Sequence, residues 1–351
     1  MSAAAEHKLS RENKELRKEL ASALEARVLD ETYEKFVTRS LRLKPHPPTW
    51  TMIGRSKRRH EVIPVTCFSD WHLDEVVRAE EVQMKNRYNR DIAERRLQIY
   101  FENVCKVAQT YVHGFKYPGI VVAMLGDNFS GNIHEELKQS NADALLSSLL
   151  HWMNPMLAGL RLLAKEFGQV WIVSVAGNHG RNTPKPICKG RARDNFDWLF
   201  ARLLERELEQ AGEKRVHWMI AEGQKAQFAL YDTKFIASHG DECKGGSGIA
   251  GMLSPQLIAM ARMKKIYDFD VWLLGHWHTL AAYRGIRCNG TGKGYDEFAA
   301  IRNFDFQEPQ QDFFLVAPGR GVIASWPIFV DERAEGKQRS QSQKDQPFRA
   351  G

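Results

Sequence analysis

The sequence predicts an α/β fold whose strands are covered on both faces. The first observation is a set of short runs rich in β-branched, aliphatic and aromatic residues: Val62–Ser69, Gly119–Leu125, Val170–Ala176, Lys234–Ser238 and Phe269–Leu274. They lack clean polar–apolar alternation, which is the pattern of strands buried on both sides. The second is the polar cluster that closes each run: Asp70-Trp71-His72, Gly126-Asp127-Asn128, Gly177-Asn178-His179-Gly180-Arg181, His239-Gly240-Asp241 and Gly275-His276-Trp277-His278. Open α/β sheets place their chemistry outside the carboxyl ends of strands. Strand ends bearing Asp, Asn and His therefore point to metal-ligand chemistry.

The bulk numbers narrow the class. At 351 residues the chain buries a full core, and 43% apolar with 26% charged residues is ordinary for a soluble globular protein. No apolar run approaches the ~20 residues that cross a bilayer, and the N-terminus has no signal-peptide apolar segment, so a cytoplasmic protein is expected. Cys67, Cys105, Cys188, Cys243 and Cys288 are scattered without a Cys-x-x-Cys pair, as for reduced thiols. A net charge of +7 suits either a polyanionic partner or a mildly basic enzyme.

Residues 1–45 are charged, and Leu9, Leu16, Leu20, Leu24 and Val28 form a rough helical stripe; it predicts a helical extension, either solvated or pairing two copies as a homo-oligomer. Pro45 to Pro48 ends it, and Arg55 to Arg59 form a basic run. The stretch 78–113 reads as a helical insertion after the first site turn, with Asn86 and Arg90 placed to meet substrate phosphate. Ser140 and Asp143 mark a helix start ahead of the Leu145–Leu157 stripe, which Pro155 should kink. A helix over 193–210 comes next, then strands at 216–220 and 227–231. The Gly-rich loop Lys244–Gly251 lacks a P-loop ending and reads as a lid or a plain mobile loop. Short strands between Ala281 and Val330 suggest an antiparallel second sheet, and the polar stretch 331–351 reads as a disordered tail.

The order Asp-x-His, Gly-Asp, Gly-Asn-His, His, Gly-His-x-His resembles the calcineurin-like metallophosphoesterase superfamily over about Val62–Val330, which implies a metallophosphoesterase domain at 46–330. The resemblance implies two mixed β-sheets face to face, flanked by helices. Alternation along a strand would let Asp70 and His72 grip one ion while Trp71 packs beneath, and His276 and His278 do likewise around Trp277. By position in the superfamily pattern, Asp70, His72, Asp127 and His278 would hold one metal, and Asp127, Asn178, His239 and His276 the other. The resemblance further implies in-line attack by a hydroxide held between the ions, with His179 as general acid. The ligand chemistry admits manganese foremost, with iron, zinc or nickel also possible.

Two departures from better-known branches stand out. Ser130 occupies the place where protein phosphatases carry an Asp that orients the catalytic His, which makes His134 a candidate for that task. Gly180-Arg181 replaces an acidic continuation, so Arg181 is a candidate phosphate clamp. The Gly-Asn-His-Gly-Arg form and the insertion look most like phage-type, DNA-repair-exonuclease-like members. The expected function is thus hydrolysis of phosphodiesters, as a nuclease on nucleic acid; a phosphomonoesterase or pyrophosphatase on nucleotides or phosphoproteins is the alternative, and a non-catalytic binding module the third.

Overall fold

The computed structural model describes residues 47–52, 60–133, 137, 140–245 and 251–331. The N-terminal extension, Arg55 to Arg59, His134, most of the loop Lys244–Gly251 and the tail beyond Asp331 lie outside the described residues.

Two sheets are built from β1 (Ile63–Phe68), β2 (Ile120–Met124), β3 (Val170–Ser174), β4 (Val216–Ile220), β5 (Ala226–Leu230), β6 (Thr233–Ala237), β7 (Val271–Leu274), β8 (Ala281–Tyr283), β9 (Ile286–Cys288), β10 (Gln310–Ala317) and β11 (Gly321–Phe329). The first has the order β11-β10-β1-β2-β3-β4, and the second β5-β6-β7-β9-β8. Strands β1 to β4 run parallel, as do β6, β7 and β9. Antiparallel strands β10, β11, β5 and β8 complete the edges. Both sheets are therefore mixed.

Three apolar layers explain the runs without alternation. Ile63, Val65, Val121, Ala123, Trp171 and Val173 of the first sheet meet Phe228, Phe235, Val271 and Leu273 of the second. The opposite face of the first sheet, with Phe68, Val122, Met124 and Ile172, packs against α1 (Arg90–Lys106), α2 (Leu145–Phe167) and α3 (Phe196–Gln210). The outer face of the second, with Ile236, Trp272 and Leu274, is covered by Met260 and Met263 of α4 (Leu253–Met263). Strands β1, β2, β3 and β7 are buried along their whole length, so nothing there selects for polar residues in alternation.

Two expectations need correction, and the helical insertion gains detail. The hairpin β10–β11 joins the first sheet, pairing antiparallel with β1, while only β8 and β9 of the 281–330 stretch enter the second. No local feature of a hairpin says which sheet edge it will join. Helix α2 begins at Leu145, after an Ala144 that makes no side-chain cap bond, and runs through Pro155 to Phe167. Asp143 accepts instead from the adjacent Ala144 N–H. The insertion is a short 3₁₀ turn (Ala79–Val82), then α1, which is capped by Asn89 and extended by a π-helical turn to Tyr111.

Helix α2 seats the ring of Phe101 of α1 against Gly159: a Cβ there would lie 2.1 Å from Phe101 Cε2. Gly159→Ala is therefore expected to lower stability by about 1–3 kcal/mol through overpacking, although alanine is the better helix former by ~1 kcal/mol. Urea unfolding checks this, and a rise in stability would refute the packing argument.

Candidate metal centre

The site residues lie beyond the carboxyl ends of β1, β2, β3, β6 and β7, and their local conformation is unusual. Asp70 (φ 56°), His72 (φ 46°), Asp127 (φ 52°), His276 (φ 69°) and His278 (φ 51°) all adopt the left-handed region. Asp and His are among the non-glycine residues most often found there. The expected strand-like alternation of Asp70 with His72, and of His276 with His278, is thus replaced by tight turns. Main-chain bonds from Asp70 N to Gly126 O, Trp71 N to Asp127 O and Leu73 N to Asn128 O carry the β1–β2 register into these turns. Trp71 is buried and stacks on Phe68 at 4.9 Å, whereas Trp277 is partly exposed.

Close approach of main chains sets the glycines. A Cβ on Gly126 (φ 92°) would lie 2.3 Å from Gly177 N, and one on Gly177 would lie 2.1 Å from Asp127 Oδ1. Asp197, at the start of α3, holds this junction together. Its buried carboxylate accepts the main-chain N–H groups of Asp127 (3.0 Å), Asn128 (3.0 Å) and Gly177 (2.9 Å), and the Asn128 amide (2.8 Å). Burial and the charge of Asp127 raise its pKa. Sequence reasoning missed this residue because an acid in a first helical turn reads as an ordinary terminus partner.

Two groups of side chains converge. In one, ligand atoms of Asp70, His72 and His278 all lie within 4.8 Å of one another; in the other, those of Asp127, His239 and His276 do. Asn178 joins the second group, its Oδ1 lying 3.1 Å from His239 Nε2. His239 Nε2 also lies 2.9 Å from Asp127 Oδ2. His239 Nδ1 lies 2.7 Å from the Leu125 carbonyl, which can only accept, so Nδ1 carries a proton. In the neutral ring, Nε2 then presents a lone pair to two further acceptors.

The first group repeats the theme: His72 Nε2 is buried with no hydrogen-bond partner among the described residues. Such sets of converging acceptors fit divalent cations, which take imidazole nitrogen and carboxylate or amide oxygen. Burial lowers the His239 pKa, but the charge and hydrogen bond of Asp127 outweigh it and push the value up to about 10. Burial and the neighbouring His239 hold His276 down at about 4.

His179 sits beside these groups, its ring 4.8 Å from that of His72. Its main-chain N–H donates to Asp127 Oδ1 at 2.8 Å, and its Nδ1 lies 2.9 Å from the Ser130 carbonyl. The Ser130 main chain thus orients His179. The expected phosphate contacts fare differently. Asn86 donates to the carbonyls of Lys293 and Tyr295 and accepts from Arg96, so it secures a loop. Arg90 bonds Asp143 and Ser148 across the helices. Arg181 donates to the carbonyls of Asn178, Thr183 and Pro184, folding the turn after His179. Each of these side chains is engaged in holding protein structure.

Two mixed sheets face to face, helices outside, and Asp, Asn and His at the strand ends make up an α/β sandwich. No protein-family profile matches the chain, and no curated protein matches it. Among solved structures it is similar to a Vps29 single mutant from Entamoeba histolytica, at 10% identity over 75% of this chain and 98% of that one, with a TM-score of 0.33. It is also similar to a conserved protein from Streptococcus pneumoniae described as a predicted phosphoesterase, at 12% identity over 75% and 97%, TM-score 0.29. A third is Vacuolar Protein Sorting 29 from Cryptosporidium parvum, at 10% identity over 76% and 97%, TM-score 0.31.

Asp197→Asn would set an amide NH₂ against main-chain donors. Leaving buried N–H groups without acceptors should cost roughly 2–4 kcal/mol, measured by chemical denaturation; unchanged stability would remove Asp197 as the organiser of the junction.

Proposed function

We propose that the chain is a two-metal phosphoesterase that hydrolyses phosphodiesters of nucleic acid. The observation that carries the hydrolytic reading is the pair of acceptor groups around His72 and His239. Asp70, His72 and His278 would hold one ion; Asp127, Asn178, His239 and His276 would hold the other, with Asp127 shared. Bound ions would supply Lewis acidity toward the phosphoryl oxygens and an activated water for in-line attack. Among the candidate ions, manganese suits the mixed oxygen and nitrogen donors, as do iron, zinc and nickel.

The protein's own residues supply the rest. Asp127 Oδ1 receives the His179 main-chain N–H, and the Ser130 carbonyl holds Nδ1, so the imidazole is fixed from two sides. His179 Nε2 is then the atom that protonates the leaving oxygen. The Asp197 carboxylate keeps Asp127 and the Gly177 turn in register, which sets the distance between His179 and the ligand groups. Preference for a polyanion is supported by the net charge of +7; Asn86, Arg90 and Arg181 do not add to that support, since protein groups engage them.

His179→Ala should retain metal and slow turnover by roughly 10²–10⁴-fold, the usual contribution of general acid catalysis. The loss should shrink for p-nitrophenyl esters, whose leaving group needs little protonation; loss of metal would make His179 a ligand instead. For substrate class, KM for a single-stranded oligonucleotide should rise with salt, with a log–log slope of about 0.7 per phosphate contacted, and more steeply than for a mononucleotide. An uncleaved oligonucleotide, beside a hydrolysed monoester, would transfer the assignment to a phosphatase.

A further inference from the structure

Behind His72 lies a buried polar relay that the proposed chemistry leaves unused. Glu75 and Lys293 are 7% and 3% exposed. The Lys293 ammonium donates to Glu75 Oε1 at 2.9 Å and to Asp296 Oδ2 at 2.5 Å. The other Glu75 oxygen accepts the Ser130 hydroxyl at 2.5 Å. A hydroxyl has one proton to give. Once it goes to Glu75, Ser130 Oγ can only accept from His72 Nδ1, which lies 3.1 Å away. The imidazole proton is thereby fixed on Nδ1, and the lone pair falls on the buried Nε2, which has no hydrogen-bond partner among the described residues.

We propose that Glu75, anchored by Lys293 and Asp296, acts through the Ser130 hydroxyl as a positioning residue that fixes His72 in the Nδ1–H tautomer and so makes its Nε2 a ligand for the first cation. This rests on the two-metal reading above. Ser130 then serves both histidines: its hydroxyl sets the tautomer of His72, and its carbonyl holds His179. Hydrogen-bond partners of this kind orient a ligand and raise its basicity. A knot of purely structural value would need Lys293, Glu75 and Asp296, and would be indifferent to the position of the His72 proton.

The test is calorimetric titration of the metal-free full chain with Mn²⁺ alone, comparing the unaltered protein with Glu75→Gln, Ser130→Ala and Ser130→Thr. Ring ¹⁵N shifts of the metal-free proteins report the His72 tautomer, and circular dichroism reports folding. The unaltered protein should take up two ions. Glu75→Gln and Ser130→Ala should weaken one of them by about 10–100-fold, leave the other unchanged, and release His72 from the single Nδ1–H form. Ser130→Thr keeps the hydroxyl and should restore both properties. If Glu75→Gln fails to fold, Ser130→Ala, which removes a single oxygen, decides the question. Two ions bound with unchanged affinity by the variants, or an unchanged tautomer, would overturn the relay alone. An unaltered protein that binds no Mn²⁺ would overturn the two-metal reading and the relay with it.

Discussion

The constraint on which this structure turns is the meeting of acceptors at His239. Its Nε2 faces the Asp127 carboxylate at 2.9 Å and the Asn178 amide oxygen at 3.1 Å, while its Nδ1 proton is directed at the Leu125 carbonyl. Buried groups of like polarity repel unless something positive lies between them. A divalent cation would meet that need, because it takes several electron-pair donors at once. The surrounding architecture serves to hold these groups in place against their repulsion.

Holding them requires backbone that most residues avoid. Five of the candidate ligand residues sit at positive φ, a conformation costing of order 1–3 kcal/mol where the surroundings must impose it. The imposition is visible. The β1–β2 main-chain register extends into the turns, the Gly126–Gly177 contact admits no side chain, and Asp197 gathers the main-chain donors of both turns. Strand packing offsets little of this directly; the two apolar layers of the first sheet fix where the strand ends emerge, and the polar junction fixes what they present.

The sequence made the strands and the ligand-bearing turns legible, because a doubly buried strand leaves a continuous apolar run and its end leaves a cluster of Gly, Asp, Asn and His. It did not make the turn conformation legible. Asp70-Trp71-His72 reads as strand alternation, and only the positive φ values show that the two ligands reach one place by tight turning. Nor did it reveal Asp197, Glu75 or Lys293. The first is camouflaged as a helix-terminal acid, the second lies three residues beyond His72 in a polar stretch, and the third sits in the glycine-rich Gly290–Gly294 segment, where a lysine reads as solvated. Asn86 and Arg90 show a further limit: side chains suited to phosphate are equally suited to the main-chain carbonyls and the carboxylate they engage here, and local sequence does not distinguish the two. The hairpin β10–β11 shows the same limit at the level of topology.

The most direct measurement of the central claim is a crystal structure of the full chain grown with Mn²⁺, with anomalous scattering recorded at the manganese edge. The account predicts two anomalous peaks, one among Asp70, His72 and His278 and one among Asp127, Asn178, His239 and His276. A map without peaks at these groups, from crystals in which both groups keep the geometry described, would contradict it.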